Sequence, residues 1–166
     1  MKFLILNADY PSFLHWLYTQ HPGLNQQPYE EQMRARMDSL FGVADFYASS
    51  LRKLGHEAQT IYFNEFMQKS WGREHGLKLS PEYTWRFRLR RGVVPWLSRV
   101  SNNKWMYEVL AAQVESYKPD VLLVQAIPWI DARFLKDIRS HTRLLVGQHA
   151  ANLPPLLADD MNFDCY

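Results

Sequence analysis

The chain lacks features on which several classes of protein depend. Cys165 is the single cysteine among 166 residues and cannot form a disulfide within the chain, which is typical of a reducing compartment. No apolar run approaches the roughly 20 residues needed to span a bilayer, and the apolar start of the chain is too short for a secretory signal. The net charge is only +2, so the chain as a whole is not a polycation. We therefore expect a soluble, cytoplasmic domain.

The motifs of several common chemistries are missing as well. LNADYPSF, which contains the end of the first apolar run, has no glycine, so the G-x-G-x-x-G fingerprint is absent, and there is no P-loop. The acyl-transfer motif G-x-S-x-G is also absent. The six histidines show neither H-E-x-x-H nor close pairing. The sequence therefore predicts no cofactor and no metal in this domain.

Short apolar runs alternate with helical patterns along the whole chain. KFLILNA, EAQTIYFN, KPDVLLVQ and RLLVGQH are largely continuous apolar runs, which is typical of strands buried on both faces of a parallel sheet. The tail NFDCY is a candidate fifth strand. The alternation predicts an α/β fold over residues 1–166, Rossmann-like, with an open, mostly parallel twisted sheet and helices on both faces.

Four further segments complete this prediction. Apolar residues at helical spacing predict one long helix over residues 30–54, ended by Gly55, after a loop over residues 9–29. NKWMYEVLAAQVESY and WIDARFLKDIRSH predict two more helices, with these residues facing inward: Trp105, Leu110, Val114, Ile130, Phe134, Leu135 and Ile138. Residues 65–107 are expected to form a largely helical insertion.

Polar residues follow the predicted strands at the edge where such sheets bind ligands. The carboxyl ends of parallel strands meet at one edge, so we expect six residues to lie close together there: Asn7, Asp9, Tyr10, Gln125, Gln148 and His149. Imidazole exchanges protons near neutral pH, which makes His149 a catalytic candidate, with Asp9 as its partner. The four others are candidate substrate ligands, because amides both donate and accept hydrogen bonds.

Each catalytic candidate also has an ordinary structural interpretation. His149 could be a strand-end histidine that hydrogen-bonds the backbone, and Asp9 could organise the turn before Pro11. The sequence alone leaves both alternatives open.

The segment from Tyr83 to Tyr107 differs in charge from the rest of the chain. It contains six bases and no acid, whereas the remainder has 13 bases and 17 acids. Its bases alternate with aromatic and aliphatic residues, which leaves three interpretations open: a helical hairpin with solvated arginines, a patch for an anionic membrane, or contact with a partner domain or a phosphate-bearing ligand. Nucleic acid is disfavoured, because the patch is single and the remainder is acidic. The candidate patch residues are Arg86, Arg88, Arg90, Arg91 and Trp96.

Four segments occur in an order that is familiar from one family: MKFLILNADYP, LRKLGHEAQTIYFN, KPDVLLVQ and RLLVGQHAANLP. In this order they resemble the N-terminal half of GT-B glycosyltransferases, especially a bacterial group of glycosyltransferase or spore-maturation-like proteins. The resemblance implies an acceptor-binding domain that faces a C-terminal domain for the nucleotide sugar across a cleft. His149 matches a cleft histidine of that family, whereas Ala8-Asp9 replaces its glycine pair.

The resemblance also implies what else the activity requires. The chain ends where relatives continue into the donor domain, so we expect a first domain that is inactive alone. Its partners would be a sugar or lipid-linked acceptor and the missing donor domain, with peripheral contact to the inner membrane face. The alternative from a different class is a non-catalytic, flavodoxin-like interaction module that docks through residues 83–107.

Overall fold

The structure is a computed structural model that describes residues 1–42, 45–90, 94–149 and 163–165; of residues 88–90, 94 and 95 it describes only the backbone. The chain forms an α/β fold in which a sheet of four parallel strands is flanked by helices. This Rossmann-like architecture confirms the fold that the alternating apolar runs predict.

The helices and strands follow one another from the first residues to the last strand of the sheet. In chain order they are β1 (Lys2–Asn7), α1 (Pro11–Gln20), α2 (Tyr29–Asp38), α3 (Phe46–Lys53), β2 (Glu57–Tyr62), α4 (Glu65–Glu74), β3 (Tyr83–Arg90), β4 (Val94–Ser101), α5 (Lys104–Tyr117), β5 (Val121–Val124), α6 (Ala132–Ile138) and β6 (Leu144–Gly147).

The strands of the main sheet lie in the order β2-β1-β5-β6. Leu6 of β1 pairs with Ile61 of β2 on one side and with Val124 of β5 on the other. The chain therefore leaves β1 toward one edge and returns to its other side, which makes β1 and β5 the point where strand order reverses. Beyond β6, Val146 forms a parallel bridge with Cys165, so the tail begins to pair at the sheet edge, as expected of a fifth strand.

Both faces of the sheet are covered, because the strands carry apolar side chains on both. Leu4 and Leu6 belong to the main core with residues of α5 and α6, whereas Ile5 packs in a second cluster that includes Ala48 of α3. The residues predicted to face inward from α5 and α6 are all buried: Trp105, Leu110, Val114, Ile130, Phe134, Leu135 and Ile138.

Two predictions for the first third of the chain are wrong. The predicted loop over residues 9–29 contains α1, which begins at Pro11, where the fixed φ of proline suits a helix start. The predicted helix over residues 30–54 is two helices, because Leu40 and Gly42 adopt positive φ angles of 53° and 59° and no right-handed helix continues through such residues.

The helical prediction for the basic segment is also wrong over Tyr83–Ser101. This stretch is an antiparallel pair of strands, β3 and β4, separate from the main sheet. The sequence WRFRLR alternates strictly between basic and apolar residues, which is the period of a strand. We call this pair the ribbon.

The residues just before the ribbon bind side chains in the second turns of α4 and α5. Lys69 of α4 lies 3.0 Å from the carboxylate of Glu82. Ser80 donates to Glu108 of α5 from its backbone N–H at 2.7 Å and its hydroxyl at 2.6 Å. α4 starts directly after the carboxyl end of β2, and α5 ends just before the amino end of β5. The base of the ribbon therefore lies at the carboxyl edge of the main sheet.

Candidate functional site

A cleft of about 480 Å³ opens at the carboxyl ends of β1, β5 and β6. Open α/β sheets bind ligands where strand order reverses, and the volume lies within the ordinary range of about 300–1,000 Å³ for small-molecule sites. All six residues that the sequence predicts for this edge line the cleft: Asn7, Asp9, Tyr10, Gln125, Gln148 and His149. Their catalytic and ligand-binding roles stay predictions.

Three amides cross the floor of the cleft in one hydrogen-bonded row. Asn7 Nδ2 donates to Gln125 Oε1 at 3.2 Å, and Gln125 Nε2 donates to Gln148 Oε1 at 2.7 Å. Gln148 Nε2 in turn donates to the hydroxyl of Tyr47 on α3 at 2.8 Å. We call Asn7, Gln125 and Gln148 the amide row. Each amide retains a second N–H and a further lone pair, so the row presents neutral donors and acceptors side by side.

Asp9 is held by a cation behind the cleft. Its Oδ1 accepts from Nη2 of Arg36 at 2.8 Å, and the two side chains are only 1% and 3% exposed. Burial raises the pKa of the Asp9 carboxyl above its ordinary value of 3.8, against the opposing effect of Arg36. Among the described residues, no hydrogen bond reaches Asp9 Oδ2, and none joins Asp9 to His149.

His149 lies at the rim of the cleft, two residues beyond β6. Its side chain is half-buried and lines the cleft, so it is neither enclosed by the core nor turned away from the concavity. Within the ranges that the structure describes, the ring has no hydrogen-bond partner. The alternative of a strand-end histidine bonded to the backbone therefore gains no support from these residues.

Exposed aromatic side chains stand on two sides of the cleft. Tyr10 is 62% exposed and meets Phe41 edge to face, and Trp129 is 47% exposed. Phe41 is stacked on Phe13 at a centroid distance of 4.0 Å, which fixes this side of the cleft to α1. The cleft thus combines a polar floor with apolar walls, the composition usual for small-molecule sites.

The sequence analysis missed the lining residues that come from α2, α3 and the segment between them: Arg36, Phe41, Gly42 and Tyr47. Arg36 lies on α2, which neither precedes nor follows a strand directly. Its signal was the spacing of Tyr29, Gln32 and Arg36, which share one helical face and are all buried. Trp129 also lines the cleft, and it ends the loop from Gln125 to Trp129 that the sequence predicts at this edge.

The predicted basic patch maps to the ribbon, away from the amide row. Arg86 and Trp96 are exposed there. Arg88 and Arg90 belong to β3, where only the backbone is described, and Arg91 lies outside the described residues.

No group of three His, Cys, Asp or Glu side chains in the described ranges could hold a metal ion. Within the same ranges, none of the helices combines the length and apolar composition that crossing a membrane would take.

Comparison of the chain with protein-family models, with curated proteins and with solved structures finds no match.

Proposed function

We propose that this chain is the acceptor-side domain of a nucleotide-sugar-dependent glycosyltransferase, and that its cleft binds a neutral, polyhydroxylated acceptor. The observation that carries this proposal is the amide row, because hydroxyl groups both donate and accept hydrogen bonds and amides match them in both respects. The exposed rings of Tyr10 and Trp129 supply apolar surface for the C–H faces of a sugar ring.

The charges around the cleft favour a neutral ligand over a phosphate. Among the described lining residues, the only Asp, Glu, Lys or Arg side chains are Asp9 and Arg36, and these pair with each other. A diphosphate leaving group requires cationic or hydrogen-bonding stabilisation. On this proposal that stabilisation comes from a separate donor-binding domain, and this domain alone is inactive.

His149 is the proposed general base. Its unprotonated ring nitrogen would accept the proton of an acceptor hydroxyl as that oxygen forms a bond to the anomeric carbon of the donor sugar. The bond from that carbon to the diphosphate breaks in the same reaction, and the diphosphate leaves with the electron pair. The amide row would orient the acceptor, while Asp9, through its ion pair with Arg36, would fix the loop after β1.

Binding to residues 1–166 tests the acceptor half of the proposal. Saturation-transfer NMR with a panel of mono- and disaccharides should show binding that Gln125→Leu weakens at least tenfold, since an apolar side chain interrupts the amide row. Gln26→Leu is the matched control, because Gln26 is exposed and lies outside the cleft. Failure of every sugar to bind, or equal effects of the two variants, would refute this half.

Turnover by the full-length gene product tests the catalytic half. A panel of nucleotide sugars should give transfer to the acceptor identified by binding, and His149→Ala should lower kcat by about 10²–10⁴-fold with little change in acceptor affinity. Absence of transfer with every donor, or an unchanged kcat in His149→Ala, would refute the catalytic role.

A second candidate function is a non-catalytic, flavodoxin-like interaction module that docks through the ribbon. The observation that favours it is the exposure of large aromatic side chains on β3 and β4, with Trp85 at 68% and Phe87 at 63%. A full-length gene product that has no second α/β domain, together with a cleft that binds no sugar, would favour the module over the enzyme.

A further inference from the structure

The ribbon has two chemically different faces. Residues directly opposite each other in an antiparallel pair share a face, and Phe87 pairs with Leu97 whereas Arg86 pairs with Ser98. We call the face formed by Tyr83, Trp85, Phe87 and Leu97 the apolar face. The opposite face carries Thr84, Arg86, Trp96, Ser98 and Val100.

Nothing in the described part of the chain covers the apolar face. Its side chains are 45–68% exposed: Tyr83, Trp85, Phe87 and Leu97. Scattered exposed apolar residues are ordinary, but a contiguous row of large ones marks an interaction site. An isolated two-stranded hairpin is also only marginally stable in water. Burial of the apolar face against a partner would therefore stabilise the fold of the ribbon as well as the complex with that partner.

Positive charge accompanies this apolar row. Arg99 belongs to the same face and lies over the ring of Tyr83 at 3.5 Å from its centroid, and Arg86 projects from the opposite face. Residues 83–101 contain five bases and no acid, whereas acids outnumber bases in the rest of the chain. The charge therefore concentrates on the ribbon and complements an anionic surface.

We propose that the ribbon docks on a bilayer that contains anionic phospholipids. Tyr83, Trp85, Phe87 and Leu97 would enter the boundary between headgroups and acyl chains, where Trp and Tyr are enriched. The arginines would remain beside the lipid phosphates, since a long basic side chain can bury its stem and keep its charge at the polar boundary. This inference is independent of the proposed function of the cleft.

The shape of the ribbon favours a bilayer over a folded partner or a nucleic acid. Side chains of four different shapes stand in a row on one face of a two-stranded ribbon. A fluid acyl boundary adapts to such a row, whereas a folded partner must provide a matching groove. A nucleic acid would use the charge and leave the aliphatic Leu97 exposed.

Vesicle binding by residues 1–166 tests the proposal. Sedimentation should show at least tenfold stronger binding to vesicles of phosphatidylcholine and phosphatidylglycerol at 3:1 than to phosphatidylcholine alone. Brominated phosphatidylcholine, mixed into the anionic vesicles, should quench tryptophan fluorescence. Trp85→Ser combined with Phe87→Ser should reduce binding at least tenfold and abolish most of the quenching. Arg86→Gln should weaken binding about fivefold, as expected for one base near an anionic surface.

The chain offers matched controls on its other surfaces. Trp16 of α1 is 46% exposed and Arg133 of α6 is exposed, so Trp16→Ser and Arg133→Gln should leave vesicle binding unchanged. Because the ribbon substitutions are all on the surface, circular dichroism and urea unfolding should show a folded main sheet in each variant.

Three outcomes would overturn the proposal. One is equal vesicle binding by the wild type and the Trp85→Ser/Phe87→Ser variant. Another is binding to anionic vesicles without any quenching by brominated lipid, which would mean a purely electrostatic contact. The third is tighter binding to single-stranded or duplex nucleic acid than to vesicles at the same ionic strength, which would assign the ribbon to nucleic acid.

Discussion

Arg36 and Asp9 form an ion pair of 2.8 Å between two side chains that are almost completely buried. The guanidinium also lies over the ring of Tyr62 at 4.2 Å from the centroid, and its Nη1 donates to the carbonyl of Phe41 at 3.1 Å. One cation thereby connects the loop after β1, the end of β2 and the segment that follows α2.

Asp9→Asn should lower the free energy of unfolding by about 3–5 kcal/mol, because it leaves Arg36 buried without its counter-charge. Urea denaturation measures this loss. The double variant Asp9→Asn/Arg36→Met should lose less than the sum of the two single variants, since the two charges are coupled. The matched control is Glu31→Gln in the exposed pair of Arg34 and Glu31, which should cost less than about 1 kcal/mol. Equal costs for Asp9→Asn and Glu31→Gln would contradict the interpretation.

Glu108 should stabilise the base of the ribbon in a pH-dependent manner. Partial burial acts to raise the pKa of Glu108, but hydrogen bonds from Ser80 and the charge of Lys104 together hold it below its ordinary value of 4.5. A depressed folded-state pKa gives stability that is fully present above 4.5 and is lost as the pH falls through the folded-state pKa. Glu108→Gln should therefore cost about 1 kcal/mol at pH 7.

That cost should shrink as the pH is lowered below 4.5. Unfolding of the wild type and Glu108→Gln by urea across pH 3–7 gives the measurement. Asp137→Asn is the control, since Asp137 is exposed and has no hydrogen-bond or ion-pair partner among the described residues. A cost for Glu108→Gln that stays constant over this pH range would contradict the linkage.

Gly147→Ala should disrupt the docking of the tail on β6. A Cβ atom at residue 147 would stand 2.8 Å from the ring of Phe163, closer than packed carbons tolerate, so the ring must shift. We expect a loss of about 1–3 kcal/mol in the free energy of unfolding, the usual cost of overpacking. Faster amide exchange should accompany it at Gly147, whose N–H donates to the carbonyl of Cys165 at 2.9 Å. In a Phe163→Ala background the same substitution should cost much less, and an undiminished cost would exclude this clash as the cause.

Lys118→Gly should stabilise the chain. Lys118 ends α5 with φ 52° and ψ 65°, a left-handed conformation that costs a residue with a Cβ about 1–2 kcal/mol. Glycine adopts it freely but loses more entropy on folding, so we expect a net gain of about 0.5–1 kcal/mol in urea denaturation. Lys136→Gly in α6 is the contrasting control and should destabilise by about 1 kcal/mol, as glycine does within helices.

The main sheet and the composition of the cleft floor were predictable because both follow from local pattern. Continuous apolar runs identify buried parallel strands, and the carboxyl ends of such strands meet at one edge. The amides of Asn7, Gln125 and Gln148 therefore converge even though 118 residues separate Asn7 from Gln125.

The ion pair behind the cleft was not predictable in the same way. A charged residue on a helix is usually solvated. The helical spacing of Arg36 with Tyr29 and Gln32 indicates that it faces inward, but nothing in the sequence connects it to Asp9. The break between α2 and α3 could not be predicted from the apolar pattern either. Apolar residues keep their helical spacing across it, and no glycine or proline in the sequence marks Leu40, whose φ is positive.

The ribbon and the cleft share the carboxyl edge of the main sheet, and this arrangement has a geometric consequence. β3 is eight residues long, which at about 3.4 Å per residue gives an arm on the order of 27 Å. The apolar face runs along this arm from Tyr83 at its base to Phe87, so docking of that face lays the arm along the bilayer and brings the carboxyl edge of the sheet close to the lipid headgroups. A lipid-anchored ligand would then reach the cleft without a long spacer between its anchor and its head group.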